Sequence, residues 1–243
     1  MTTFRDVLAT RQRHRPGDPL VTFYDDATGE RTELSVTTYA NWVAKAASLF
    51  VDELGLERGD RLLVDLPAHW LGPVVLGAAW TAGLEVVWDG DPQAVVCGPE
   101  GLATWADRAA DLPVVATALL PLGVRFREPL PAGVHDLGVE VWGQPDSFIP
   151  WDPPSDDDPA VGGVSHADLW AVAGRGTLVT AGARLLSTAN AASADGLATF
   201  TDVLCTGGSL VVVVHASDDR LAAIAAAERT TQALPDAGQP TRS

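Results

Sequence analysis

From Leu71 to Val87 the chain is apolar except at Thr81 and Glu85, and Gly72, Pro73, Gly77 and Gly83 interrupt the run. A membrane-spanning helix needs about 20 consecutive, predominantly apolar residues, and these breaks argue against one. The stretch reads instead as a small-residue helix, roughly Trp70 to Ala82, closed by Gly83 and followed by a buried strand from Leu84 to Trp88. Such a segment has to be covered by neighbouring layers of the same fold. A hydrophobic fraction of 47% over 243 residues supplies enough apolar surface to build them.

The flanking sequence supplies candidate layers. Residues 4–13 read as a short helix ending at the turn Pro16-Gly17-Asp18-Pro19. Leu20–Tyr24 and Arg31–Leu34 flank Asp25-Asp26-Ala27-Thr28-Gly29, which predicts a β-hairpin. Tyr39, Trp42, Val43, Ala46, Leu49, Phe50 and Leu54 recur at helical spacing up to Gly55, and Lys45, the one lysine, falls off that stripe and is expected to face solvent. Strands are predicted at Arg61–Leu66, Ala94–Cys97, Val114–Ala116, Leu185–Thr188 and Ser209–Val214. Helices are predicted at Gly101–Ala110, from Ser165, at Asp195–Leu204 and at Asp218–Arg229. Short apolar strands alternating with helices define an α/β class: a mostly parallel sheet with helices on both faces, opened by an N-terminal β-hairpin. Residues 1–232 are expected to form a single domain, interrupted by an irregular Pro/Asp-rich loop at 143–160, with 233–243 a disordered tail.

Charge and cysteine content narrow the partners. Acidic residues outnumber basic ones 32 to 16, a formal net charge of −16, which repels phosphate backbones and anionic membranes. No nucleic-acid or membrane partner is expected. Cys97 and Cys205 stand 108 positions apart with no Cys/His cluster, so two buried thiols in a reducing, cytoplasmic setting are expected and no metal site. The first residues are charged throughout and lack the apolar core of a signal peptide.

Four motifs in order resemble a known family. Gly55, Leu56, Gly59 and Asp60 match a G-[LV]-x-x-G-D turn. Leu66 and Pro67 match a strand ending L-P, and Ala82 and Gly83 match a helix ending A-G. Gly163-Val164-Ser165-His166-Ala167-Asp168-Leu169 resembles the segment after a phosphate-binding loop, and Leu185 to Val212 resembles the strand, helix and G-G turn that follow. Over residues 4–232 the chain is therefore similar to the N-terminal part of the large domain of the adenylate-forming superfamily, which includes acyl-CoA synthetases.

The resemblance implies an ATP site, and the residues depart from it. The family's loop is rich in Thr, Ser and Gly and ends P-K-G. The matching positions here are Ser155-Asp156-Asp157-Asp158-Pro159-Ala160-Val161-Gly162-Gly163, with Gly162 where the lysine belongs. Each carboxylate about 4 Å from a polyphosphate costs on the order of 1–4 kcal/mol. The family's adenine and ribose motifs, and the mobile C-terminal domain with its lysine, are expected to lie beyond this chain. Lys45 matches neither of the family's lysines.

Gly162, Gly163, Ser165 and His166 thus mark a degenerate phosphate-loop region, with no catalytic residue and no cofactor expected. Gly163-Val164-Ser165-His166-Ala167 reads as a helix N-cap with Asp168 closing a capping box, not as a G-x-S-x-G nucleophile elbow. Asp156-Asp157-Asp158 reads as a solvated loop, and His69 and His215 as strand-end residues of the scaffold. The expectation is a catalytically inactive remnant acting as a binding or interaction protein, through a protein partner or self-association over exposed sheet surface. The alternative is one part of a split acyl-CoA synthetase whose partner chain supplies the ATP site and the catalytic lysine.

Overall fold

The chain is seen in a computed structural model that describes residues 2–234. Helix α1 (Phe4–His14) precedes a hairpin of β1 (Pro19–Asp25) and β2 (Glu30–Ser35), and α2 (Val36–Ser48) runs into a π turn at Leu49–Glu53. Then come β3 (Arg61–Asp65), α3 (Leu71–Ala82), β4 (Glu85–Val87), β5 (Ala94–Cys97), α4 (Leu102–Trp105), β6 (Val114–Ala116), β7 (Val134–Asp136) and α5 (Leu137–Glu140). A small hairpin, β8 (Pro159–Val161) and β9 (Val164–Ser165), opens into α6 (His166–Gly174). The remainder is β10 (Arg184–Ser187), α7 (Leu197–Thr206), β11 (Ser209–Val214), α8 (Asp218–Glu228) and β12 (Gln232–Leu234).

The strands form two sheets, in the orders β12-β10-β11-β1-β2 and β7-β6-β5-β3-β4-β8-β9. Every pairing is parallel except the hairpins β1/β2 and β8/β9. The mostly parallel α/β class read from the sequence is thus realised as two sheets. Side chains alternate along each strand, as the period of two requires. Leu62, Val64, Val86, Val96, Leu210 and Val212 face a shared core, where they meet α1, α2, α3, α6 and α7. Leu63, Val87, Val95 and Cys97 face the opposite way, toward Leu102, Trp105 and Phe126, while Val211, Val213 and Leu186 pack on α8. The result is five layers: helix, sheet, helices, sheet, helix.

The middle layer is organised around α3, all twelve of whose residues are buried. A helix that is apolar on every side has to be enclosed on every side, and glycine permits the close approach. A Cβ on Gly77 would lie 2.8 Å from both Phe4 Cζ and Val43 Cγ2, and closer still to the Tyr39 hydroxyl. A Cβ on Gly72 would lie 2.8 Å from the Ala192 Cβ. Gly83 closes the helix at φ 84°, a left-handed stop. The polar atoms beside α3 are paired: Tyr39 Oη donates to the Pro73 carbonyl at 2.9 Å, and Trp80 Nε1 to the Ala160 carbonyl at 2.9 Å. Trp80 and Trp170 meet edge-on at 5.3 Å, and Phe4 stacks on both.

The sheets are joined beside this helix. Asn190 Nδ2 donates to the Leu66 carbonyl at 2.7 Å and Trp88 Nε1 to the Ala192 carbonyl at 2.6 Å. Buried Arg11 extends from α1 to the C-terminal end of α7, donating to the carbonyls of Val203, Leu204 and Gly208 at 3.1, 3.3 and 2.9 Å. It satisfies orphan acceptors and complements the helix dipole.

Four expectations change. Lys45 is not solvent-facing: its ammonium bonds the Gln144 carbonyl at 2.5 Å and pairs with Asp146 at 3.1 Å, because the 144–146 segment folds back over α2. The helix expected at 101–110 is one α-helical turn followed by a 3-10 turn. The tail does not begin at 233, since Ala233 and Leu234 pair with Leu186 and Ser187, and the rest of 233–243 lies outside the described residues. The exposed apolar surface is not mainly on a sheet: of the exposed large apolar side chains among the described residues, Val164 alone lies in a strand, β9. It lies instead on the 142–151 segment and its surroundings, where Trp151 is 98% and Ile149 83% exposed.

Gly77→Ala tests the packing of the middle layer. The added methyl group forces Tyr39, Phe4 and Val43 apart and should lower stability by about 1–3 kcal/mol, read as an earlier urea midpoint with an unchanged slope.

Candidate functional site

The region that sequence resemblance assigns to a phosphate loop is a two-residue β-turn. Val161 pairs with Val164 across it, leaving Gly162 and Gly163 as the whole connection. Their φ values of 50° and 82° are both left-handed, the geometry of a hairpin turn that suits the twist of the strands and favours glycine at both positions.

Anions bind to backbone loops through N–H groups that point at the ligand. Here both turn amides point back into the protein. Gly162 N donates to the Val86 carbonyl at 3.0 Å, continuing the β4 ladder, and Gly163 N donates to Glu85 Oε1 at 2.6 Å. The turn therefore offers no free donor and presents a carboxylate beside it.

The acidic run before the turn is not the bare carboxylate cluster that the sequence suggests. Arg58 reaches across from the turn before β3 and holds Asp158 through Nε at 2.6 Å and Nη2 at 2.8 Å. It also bonds Asp152 at 3.0 Å and Ser155 Oγ at 3.2 Å. Asp158 further accepts from the Ser155 amide at 2.8 Å, and these bonds hold its carboxyl below the usual range. The irregular loop expected at 143–160 is shorter, since Gly143 ends a 3-10 turn and Pro159 and Ala160 belong to β8; the irregular residues 144–158 are pinned at one end by Lys45 and at the other by Arg58.

Ser165 is the N-cap of α6. Its Oγ accepts from the Asp168 amide at 3.1 Å and donates to Asp168 Oδ2 at 3.0 Å. His166 is fully buried, and its Nδ1 accepts from Trp170 Nε1 at 3.4 Å. Its pKa is lowered by burial, with the Asp158 charge opposing, so it stays neutral, while the Ser165 Oγ bonds are with Asp168. No nucleophile–base pair exists here.

The other singled-out histidines behave differently from each other. His69, 5% exposed, stacks on Phe23 at 4.7 Å and accepts the Leu71 amide on Nδ1 at 3.2 Å, taking up an orphan donor at the start of α3. Its Nε2 is buried without a partner, and burial pushes its pKa down to about 3. His215, at φ 58° after β11, is exposed and lies 2.8 Å from Asp25 Oδ1. Cys97 and Cys205 are free thiols, pushed by burial up to about 12 and about 11, outside the reactive range. The sequence pattern gave no sign of a groove of about 730 Å³ between α1, α2 and the 146–156 segment, floored by Leu8, Val43 and Ala44 and overhung by Phe148.

With this geometry in hand, comparison with known proteins places the chain. No family model matches it. A protein of Mycobacterium tuberculosis (strain ATCC 25618 / H37Rv) described as a TIGR03089 family protein is 36% identical over 239 residues, covering 94% of this chain and 96% of that protein. The chain belongs to the TIGR03089 family.

Solved structures give the fold. An acyl-CoA synthetase from Brucella canis superposes with a TM-score of 0.77 at 15% identity over 96% of this chain, and a benzoate CoA ligase from Burkholderia xenovorans LB400 with 0.74 at 17% over 96%. The N-terminal domain of FACL13 from Mycobacterium tuberculosis matches at 0.70 and 14% identity. This chain covers 47%, 50% and 62% of those three chains respectively, so it has the acyl-CoA synthetase fold over about half the length of a synthetase. Among the described residues, no helix is long and apolar enough to cross a membrane.

Neutral, buried His69 makes stability depend on pH. The unfolded chain takes up this proton below about pH 6.5 and the folded chain does not, so stability is full above that pH and falls as pH drops toward 3. Between pH 6 and 4 the slope from this one group is about 1.4 kcal/mol per pH unit. His69→Leu should be less stable at pH 7, having lost the bond to Leu71, yet show a shallower acid limb in urea unfolding.

Proposed function

We propose that this protein is a non-catalytic binding or interaction protein built on the acyl-CoA synthetase fold, working in the cytoplasm, where its free thiols stay reduced. One observation carries the reading: both amides of the Gly162-Gly163 turn are engaged inside the protein, and Glu85 stands beside them. Transfer of an acyl group through an adenylate needs a triphosphate held by donors at such a loop. Opening this turn to a nucleotide would break a ladder bond and leave Glu85 facing the phosphates. Ser165 and His166 serve as a cap and as core, which supports the same reading.

Binding, on this reading, falls to surface that a scaffold alone does not need. Trp142, Ile149 and Trp151 are exposed on a segment that Lys45 and Arg58 hold in place, so a protein partner would meet anchors that are already ordered. The formal charge of −16 opposes self-association and favours a basic partner.

Carboxylate-dependent exchange of radiolabelled pyrophosphate into ATP tests the catalytic half of the reading. Acids from acetate to palmitate, together with benzoate, should give no exchange above the no-enzyme background. Exchange that depends on one of these acids would show that the chain adenylates it and would overturn the reading.

A further inference from the structure

At the N-terminal ends of β1, β10 and β11 lies a pocket of about 470 Å³ that shares no residue with the Gly162-Gly163 turn. Arg11, Arg15, Arg184 and Arg229 all line it, in a chain with only 15 arginines and 32 acidic residues. Three carboxylates share the lining: Asp18, Glu33 and Glu228. All three are already committed. Asp18 pairs with Arg15 at 3.3 Å, and Glu33 and Glu228 each pair with both Arg184 and Arg31. Tyr24 Oη also donates to Glu228 at 2.5 Å, and Glu228 is pushed down to about 2, a firmly ionised acid.

Two guanidinium groups remain without a carboxylate among the described residues. Arg11 is 7% exposed, donates three hydrogen bonds to backbone carbonyls and keeps its Nε buried without a partner. Arg229 is exposed and makes no ion pair, and it follows α8 in a left-handed conformation at φ 52°, a position that glycine usually fills. Four arginines and three carboxylates line the pocket, and Arg31, outside the lining, pairs with two of those carboxylates, so that counting it five positive charges stand against three negative ones. The C-terminal ends of α7 and α8 add about half a negative charge each, and the balance stays positive. A pocket of net positive charge in so acidic a chain, holding a buried arginine that forms no ion pair and is offset only by the α7 C-terminus and the nearby Asp18 charge, is a place that a counter-ion would stabilise.

We propose that this pocket binds a phosphate group, with Arg229 as its mobile clamp and Arg11 as the fixed positive charge at its back. Guanidinium forks match the oxygens of a phosphate in pairs, and two forks from separate elements can hold a dianion. The pocket is larger than inorganic phosphate, so a small phosphomonoester fits the same chemistry. The site is independent of the reading under Proposed function, since it uses none of the residues at the glycine turn.

Thermal unfolding of the full chain, titrated with sodium phosphate against sodium chloride at matched ionic strength, tests the proposal. The wild-type midpoint should rise saturably, by about 3–6 °C at ten times the dissociation constant. Arg229→Gly, whose left-handed backbone glycine adopts freely, should fold with an unchanged or higher midpoint in chloride and lose the saturable response. A glycerol 3-phosphate titration separates the sources: a response at lower concentration assigns the site to an ester, and an equal one assigns it to free phosphate. A linear rise is the general salting effect of phosphate. No saturable response in the wild type, or the same response in Arg229→Gly, overturns the proposal.

Discussion

A helix with no polar face governs the architecture. With every residue of α3 buried, no single sheet can cover it, and the chain supplies a second sheet and four more helices to do so. Gly72 and Gly77 allow the neighbours to approach, and Tyr39, Trp80 and His69 take up the polar atoms at its surface. The N-terminal hairpin and the strands at either end of the chain form one sheet, so distant segments of sequence close around the same helix. Arg11 adds a long-range tie, 192 residues from the first carbonyl it caps.

That constraint also decides the character of the region resembling a phosphate loop. Trp80 of α3 donates to Ala160 in β8, and β4 pairs with β8, so the strand entering the turn is fixed on two sides. A loop that holds a triphosphate needs free amides and room between its strands. A two-glycine hairpin turn, with one amide in the ladder and the other on Glu85, has neither. The same residues that make this an economical hairpin remove it as an anion site. Within the acidic run Arg58 pairs with Asp158, while Asp156 and Asp157 make no ion pair among the described residues and keep their repulsion.

The α/β class, the opening hairpin and most long elements were legible because their apolar residues recur at spacings of two or of three to four. The Ser165 cap and the Gly83 stop were legible because short-range chemistry defines them. Two sheets instead of one could not be read from local pattern, since the strand order follows from tertiary packing around α3. The three-residue strands β7 and β12 are too short to carry a period. Lys45 was read as solvent-facing and the role of Arg58 was not read at all, because the partners that recruit them lie about 100 residues away. The arginine pocket was invisible for the same reason, being assembled from α1, β2, β10 and the end of α8.

The central claim is that the glycine turn is closed to nucleotide. It is tested most directly by titrating ATP and Mg²⁺ into isotopically labelled protein and following the backbone amide resonances of Gly162 and Gly163. Glycine amides are resolved from most others, and the readout is local, so binding at the arginine pocket does not confuse it. The account predicts that neither resonance moves and that both amides remain protected from hydrogen exchange. A saturable shift of both, with loss of their protection as ATP is added, would contradict it.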